Sequence, residues 1–230
     1  STSLNENTEC GFKIKITEKR SQAITHLLYM DDLKLYGQTE EKLHKLVKIT
    51  KEFSEKIHMN FGLDKCSIQN IKRGKMEPQM KEKNELPIMS AEDVYKYLGY
   101  EQNRTIQHKK MIEKLTQEFT SRINKIVRTK LNSRNLTKAI NTYAVPLLTY
   151  SFGIVKWSKT ELESVERKLR VILTQNNKLH PNAAIERQTL PRTAGGRGII
   201  DISSQHTKQI YGLKKYFHQK AQESEIHRAI

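Results

Sequence analysis

Asp31 and Asp32 are adjacent carboxylates set between two short apolar runs, Leu27-Leu28-Tyr29-Met30 before them and Leu33-Lys34-Leu35-Tyr36 after. Each run has the length and composition of a β-strand, which predicts the pair at the tip of a tight hairpin with buried arms. Asp is a common turn residue, and an ordinary Asp-Asp turn is the plain alternative. Turn pairs are usually flanked by Gly or Asn, whereas these flanks are hydrophobic. Carboxylate oxygens held at a strand tip are hard ligands, and Mg²⁺ takes one or two of them together with substrate phosphates. Paired ions of this kind stabilise both the attacking and the leaving oxygen in phosphoryl transfer. Side chains alternate along a strand, so only one of two neighbours points fully at such a site. Asp31 is expected as the main ligand, with Asp32 in support.

The elements that must hold this pair are legible around it. Phe12, Ile14 and Ile16 alternate as in a half-buried strand, a polar turn covers 18–21, and Ile24 to Tyr29 forms the next apolar run. Gly37 closes the run after the aspartates. Thr39 followed by Glu40 and Glu41 has the composition of a helix start, and Leu43, Leu46, Val47, Phe53 and Ile57 mark one helical face to about His58. A strand is expected over 66–71, a loop or irregular hairpin containing Pro78 over 72–85, and a strand over 94–100. In the last of these, Tyr95, Tyr97 and Tyr100 suit hairpin packing, and Gly99 allows another backbone to approach closely.

The second half reads as helix. Ile112, Leu115, Phe119, Ile123 and Ile126 recur at three and four residues, predicting a long amphipathic helix through about Lys130. A buried helix over 135–155 is expected to kink at Pro146 and Gly153. Thr160 opens a third helix with Leu162, Val165, Leu169 and Ile172 inward, while 181–198 reads as loop around a short helix. A last helix over 207–222 would bury Ile210, Leu213, Tyr216 and Phe217. The fold class is α+β: an antiparallel hairpin sheet with a helix in 1–103, then an all-helical bundle in 104–230.

Composition narrows the partners. The 230 residues carry 41 Lys+Arg against 25 Asp+Glu, a net charge of +16 and a pI near 9.7, which favours a polyanion. Between Arg104 and His180 there are 16 basic and 5 acidic residues, so +11 of the +16 lies there. Arg122, Lys125, Arg128 and Lys130 form the densest cluster, and Arg167, Lys168 and Arg170 the next; a solvated helical surface is the alternative reading. Arg187, Arg192 and Arg197 with Gly195-Gly196 suit a basic loop against RNA or DNA, or equally a loop packed back on the last helix. No RRM or KH pattern is present, so sequence-specific reading of RNA is unsupported. Two cysteines, Cys10 and Cys66, exclude a disulfide framework and a Cys-rich zinc site, and the eight histidines are scattered. Cys66 suits an apolar filler and Trp157 a core position. No run approaches the ~20 apolar residues of a membrane span, and no signal-peptide pattern opens the chain. The polar start without Met suggests an excised fragment.

Tyr29-Met30-Asp31-Asp32 in this setting resembles the catalytic hairpin of reverse transcriptases, and the chain as a whole resembles the non-LTR, LINE-type branch, closest to its site-specific elements. Phe61-Gly62-Leu63-Asp64-Lys65-Cys66 resembles the family's next motif, whose lysine lies near the incoming nucleotide's phosphates. Tyr95-Lys96-Tyr97-Leu98-Gly99-Tyr100 resembles the hairpin that grips the primer strand. Asn141-Thr142-Tyr143-Ala144-Val145-Pro146, Leu179-His180-Pro181 and the run from Pro191 to Gly198 resemble segments that come after the polymerase core. The likeness spans roughly residues 11 to 203, with four motifs in order.

This resemblance implies an RNA-directed DNA polymerase that uses Mg²⁺ and binds an RNA template and DNA primer. It implies Asp31, Asp32 and Lys65 as catalytic residues, with Asp31 and Asp32 on the metal, and Tyr97, Leu98 and Gly99 as the primer grip. It further implies a thumb binding the hybrid through Arg122, Lys125, Arg128, Lys130, Arg167, Lys168, Arg170, Arg192 and Arg197. The location implied is intracellular, and nuclear at the site of action. A complete member also has fingers, an earlier strand with the other metal-binding aspartate, and a Gln-Gly motif; nothing before Gly11 matches them. The zinc knuckle and endonuclease of such elements are also unmatched. Residues 1–103 therefore resemble the second half of the palm, and 104–230 the thumb with a further helical region. Such a segment is expected to be inactive without the missing N-terminal half. The alternatives are a nucleic-acid-binding protein derived from a reverse transcriptase but lacking catalysis, and a purely structural helical scaffold.

Overall fold

Alternating apolar residues pair into antiparallel hairpins in the first half of the chain, and residues at helical spacing form helices in the second, giving a mixed α+β architecture. The computed structural model describes residues 2–18, 20–59, 62, 65–77, 86–90 and 92–229. Two compact units result: Ser1–Gln107 together with Phe217–Ile230, and His108–Tyr216. The sequence-based division at 103/104 put 217–230 with the helices, whereas here these residues cluster with the first unit.

In the first unit, β1 (Phe12–Thr17) pairs with β2 (Arg20–Ile24), and β3 (His26–Tyr29) with β4 (Asp32–Leu35). Strand β2 takes in two residues of the expected polar turn, so the connection is tighter than its composition suggests. Two shorter hairpins come next, β5 (Ile71–Lys72) with β6 (Lys75–Met76), and β7 (Tyr95–Tyr97) with β8 (Tyr100–Gln102). The strand expected over 66–71 is reduced to an isolated bridge, Ile68 to Ile88, and to β5. Helix α1 (Thr2–Glu6) and a 3₁₀ turn (Thr8–Cys10), neither anticipated from their polar sequence, bring Leu4 and Cys10 against Leu46 of α2 (Glu40–Lys56). Leu33 and Leu35 of β4 and Ile49 complete this small core. Helix α2 begins where expected: the Thr39 hydroxyl accepts from the Lys42 amide at 3.3 Å. Gly37 makes the step from β4 into α2, where a Cβ would meet the backbone nitrogen of Leu43 at 2.8 Å.

Two expectations of burial are corrected here. Phe53 and Ile57 are exposed, because the cluster on α2 extends only as far as Ile49. The arms of the Asp-Asp hairpin are also open: Leu27, Leu28 and Tyr29 are exposed, and only the β4 arm reaches the α2 core. Each described hairpin is a separate two-stranded sheet, so the outer strand β3 has no further strand to cover it.

In the second unit, α3 (His108–Val127) buries Met111, Ile112, Leu115, Phe119, Ile123 and Val127 at the expected period. Next come α4 (Ser133–Ala139), a π-helical segment (Ile140–Ala144) and α5 (Val145–Thr149). Pro146 has no N–H to continue an α-helical ladder, and immediately before it the Val145 amide reaches back to the Ile140 carbonyl, one residue farther than in an α-helix. The expected kink is thus taken up as a π-helical insertion, and regular helix stops at Thr149, short of 155. Helix α6 (Lys159–Gln175) starts at a reciprocal cap in which Ser158 and Glu161 satisfy each other's amides. Trp157 is buried, its indole N–H donating to Ser151 Oγ at 2.8 Å and its ring edge-on to Phe152.

After the short α7 (Glu186–Thr189), the segment 187–199 folds on itself: the Arg197 amide donates to the Arg187 carbonyl and the Ile199 amide to that of Gln188. Asn141 pins this loop to the π-helical segment, donating to the Gly198 carbonyl at 2.8 Å and accepting from the Ile200 amide at 3.0 Å. Helix α8 (Ile202–Lys220) begins earlier than its hydrophobic spacing suggests. Asp201 accepts from the Ser204 amide, and Glu166 of α6 accepts from the amide and hydroxyl of Ser203. Ile210, Leu213 and Tyr216, expected inward, are exposed, because α8 buries only its first residue, Ile202. Phe217 packs against His227 of α9 (Glu225–Ala229). No helix among the described residues is long and apolar enough to cross a membrane.

Candidate functional site

Tyr29 pairs with Asp32, so the turn of the first hairpin consists of Met30 and Asp31, while Asp32 begins β4. Met30 closes this turn at φ 54°, in the left-handed region that favours glycine, and is 82% exposed. The second hairpin has the same form: Tyr97 pairs with Tyr100, and Leu98 and Gly99 turn the chain at φ 48° and 82°. Positive φ suits two-residue hairpin turns, yet a bulky residue there is unfavourable by about 1–3 kcal/mol and persists where its surroundings enforce it. Both hairpins that the sequence marks for function share this strain.

Alternation puts Asp32, Lys34 and Tyr36 on one face of the first hairpin, and that face meets the second. Lys34 Nζ donates to Gln102 Oε1 at 3.2 Å and sits 5.3 Å from the centre of the Tyr97 ring and 5.8 Å from that of Tyr36. Burial lowers the pKa of Lys34. It raises that of Tyr36, with Tyr97 adding to the rise. Tyr95 and Tyr97 are also pushed up, first by burial and next by the Asp32 carboxylate, which opposes a second negative charge beside it. Asp32 therefore faces the tyrosine hairpin, and Asp31 stands in the turn itself. Sequence reasoning missed Lys34, since a lone lysine in an apolar run reads as a solvent-facing residue. Its two-residue phase with Asp32 was the available signal. Asp32→Asn should lower the pKa of both Tyr95 and Tyr97 without restoring ordinary values, because burial remains. A phenolate absorbance titration reads this directly, and an unchanged curve would place Asp32 away from the rings.

Neither aspartate is in an ion pair among the described residues, and both are exposed. Among the described residues no cluster of three or more His, Cys, Asp or Glu side chains forms a metal site, so the set here is two neighbouring carboxylates. Such a set suits Mg²⁺, which completes its shell with water and phosphate oxygens.

Lys65 is exposed, its amide donating to the Gly62 carbonyl at 2.8 Å. Phe61, Leu63 and Asp64 of the same motif lie outside the described residues. Cys66 is half-buried and close enough to contribute to the raised pKa of Tyr95, so the chain just after Lys65 passes beside β7. No described hydrogen bond or ion pair links Lys65 to Asp31 or Asp32. Leu98 is half-buried and Gly99 exposed at the tip of its hairpin.

The net positive charge lies almost entirely in the helical unit, because most of the acidic residues are outside it. From His108 to Tyr216 there are 21 Lys+Arg and 7 Asp+Glu, +14 of the chain's +16. Arg122 and Lys125 lie on α3, whereas Arg128 and Lys130 fall in the turn just beyond it, where the helix C-terminus favours cations. Arg122 is held by Glu118 at 2.5 Å and by the Tyr143 carbonyl at 2.8 Å, and with five N–H donors it retains others for a ligand. On α6, Arg167 and Lys168 are exposed and Arg170 is half-buried; Arg167 and Arg170 line a cavity of about 360 Å³ with Val171, Leu179 and Ile185. The loop arginines are partly committed to the fold: Arg192 donates to the Ser133 carbonyl at 2.9 Å, and Arg197 to that of Lys178. Burial, and then the charges of Arg187 and Arg192, lower the pKa of Arg197. The basic loop thus packs back onto its own unit while its guanidinium groups stay close together.

A scan against protein-family models, a search of curated proteins and a search of solved structures each returned no match.

Proposed function

We propose that the chain is part of a reverse transcriptase of the non-LTR type, contributing the catalytic Asp-Asp hairpin, the primer grip and a basic helical thumb to an RNA-directed DNA polymerase. The observation that carries this reading is the packing of the Met30-Asp31 hairpin against the Leu98-Gly99 hairpin through Lys34, Tyr97 and Gln102. Two carboxylates on a hairpin packed against a second hairpin with a strained, glycine-containing turn suit a primer end delivered to a metal. Asp31 and Asp32 would hold Mg²⁺, which supplies charge stabilisation at the attacking and leaving oxygens of phosphoryl transfer when bound. Tyr97, Leu98 and Gly99 would position the primer backbone, with Gly99 admitting it closely. Lys65 would meet phosphate as a point charge. The RNA template and DNA primer would be held as a hybrid by Arg122, Lys125, Arg128 and Lys130, by Arg167, Lys168 and Arg170, and by the remaining N–H groups of Arg192 and Arg197.

Segregation of +14 in the helical unit favours a second reading, nucleic-acid binding without catalysis, and one experiment bears on both. In a salt titration with an RNA–DNA hybrid, the log of affinity should fall linearly with log salt, by roughly 0.7–0.9 per phosphate neutralised. Replacing Arg122, Lys125 and Arg128 by Ala should weaken binding to all sequences about equally and flatten that slope by about two. Folding should weaken by only about 1 kcal/mol, from the Arg122 bond to the Tyr143 carbonyl. An unchanged slope and affinity would reduce the cluster to a solvated face. Binding without any primer extension, in a protein that also carries the fingers and first aspartate, would favour the second reading.

A further inference from the structure

Tyr143 is 65% exposed, as open as Tyr150 and Tyr211 of the same unit, but it alone of the three lies in a π-helical segment. It lies in the π-helical segment Ile140–Ala144, whose other end is fixed by the two hydrogen bonds of Asn141 and whose Ile140 and Ala144 are fully buried. Its backbone is therefore rigid on both sides while its ring is open. The Tyr143 carbonyl accepts from Arg122 of α3, so the backbone that carries the ring is tied to a guanidinium already oriented by Glu118. Lys125 comes three residues after Arg122, on the same side of α3. π-Helical insertions recur at functional positions, and this one has no role in the site of the first unit.

We infer that Tyr143 and Arg122 form a platform for single-stranded nucleic acid, the ring stacking on an unpaired base while Arg122 and Lys125 meet the adjoining phosphates. This rests on the nucleic-acid-binding role proposed for the helical unit and adds a mode of contact that phosphate neutralisation lacks. A duplex hides its base faces, so a ring can stack only on an unpaired nucleotide, as in a template strand beyond the hybrid. Stacking accepts every base because each has a π-face, and the +14 of this unit supplies the complementary charge. Arg122 contributes to both parts, holding the ring's backbone and facing the strand.

The test is fluorescence anisotropy with labelled oligo(U) and oligo(dT), and with a blunt RNA–DNA hybrid, across a salt series. Tyr143→Ala and Tyr143→Gln should each weaken both single strands by about tenfold and leave the hybrid and the salt slope unchanged. Tyr143→Phe should bind as the parent does, since the ring is kept. Lys125→Ala with Arg128→Ala should instead flatten the slope for all three ligands. Unchanged single-strand affinity in Tyr143→Ala and Tyr143→Gln, with the slope still flattened in the double variant, overturns the platform and leaves the phosphate-binding role standing. Equal loss in Tyr143→Phe assigns the contact to the hydroxyl and overturns stacking. If the parent protein binds none of the three ligands, the role itself fails, and the platform with it.

Discussion

Asp31→Asn should abolish primer extension, lowering it by several orders of magnitude, in any polymerase that includes this chain, while leaving affinity for an RNA–DNA hybrid nearly unchanged. The substitution keeps the size and hydrogen-bonding capacity of the side chain but removes one of the negative charges that would hold Mg²⁺. Most of the basic residues proposed to hold the hybrid lie in the helical unit, which this change does not touch. Asp32→Asn should be less severe, because Asp32 begins β4 and faces Tyr95 and Tyr97, whereas Asp31 stands in the turn itself. A steady-state extension assay run beside a hybrid-binding titration separates the two quantities. Parallel loss of binding and extension would assign Asp31 to the fold of the hairpin, and retained extension would make the hairpin an ordinary turn.

Phe119→Ala should lower the stability of the helical unit by about 3–5 kcal/mol, a large share of what a domain of this size possesses. Phe119 is fully buried on α3, the helix against which the π-helical segment, α5 and α6 all pack. Truncation removes apolar surface from the centre of that contact and leaves a cavity that rigid helices fill poorly. Trp157 reports the loss, as the single tryptophan of the chain and a buried member of the same unit. In urea, its emission should shift at a clearly lower midpoint with the slope of the transition retained. A loss under about 1 kcal/mol would mean that this unit is not organised around α3.

Much of this architecture is carried by local pattern. The tight hairpin at the aspartates was legible because two short apolar runs flank them, but pairing of Tyr29 with Asp32 makes the turn Met30-Asp31, one residue earlier than the expected Asp31-Asp32 tip. The inward face of α3 stems from residues recurring at three and four, and the start of α2 from Thr39, whose hydroxyl can satisfy an orphan amide. The concentration of positive charge in the second half is a property of composition alone.

Tertiary structure decided what local pattern leaves open. Lys34 gains its meaning from Gln102, 68 residues away in sequence, and a lysine in an apolar strand carries no mark of a partner so distant. Apolar runs predict burial only where something covers them. Leu28 on β3 and Phe53 late on α2 share the composition of core residues and stay open, because no further strand covers β3 and the α2 cluster stops at Ile49. The early start of α8 is capped locally by Asp201 and also by Glu166, a carboxylate on another helix that accepts from Ser203. Pro146 announced an interruption, but its form as a π-helical insertion that exposes Tyr143 was set by packing. Spacing along the chain determined which residues could share a face; which face meets another depended on contacts between residues far apart in sequence, whose free energy no local window contains.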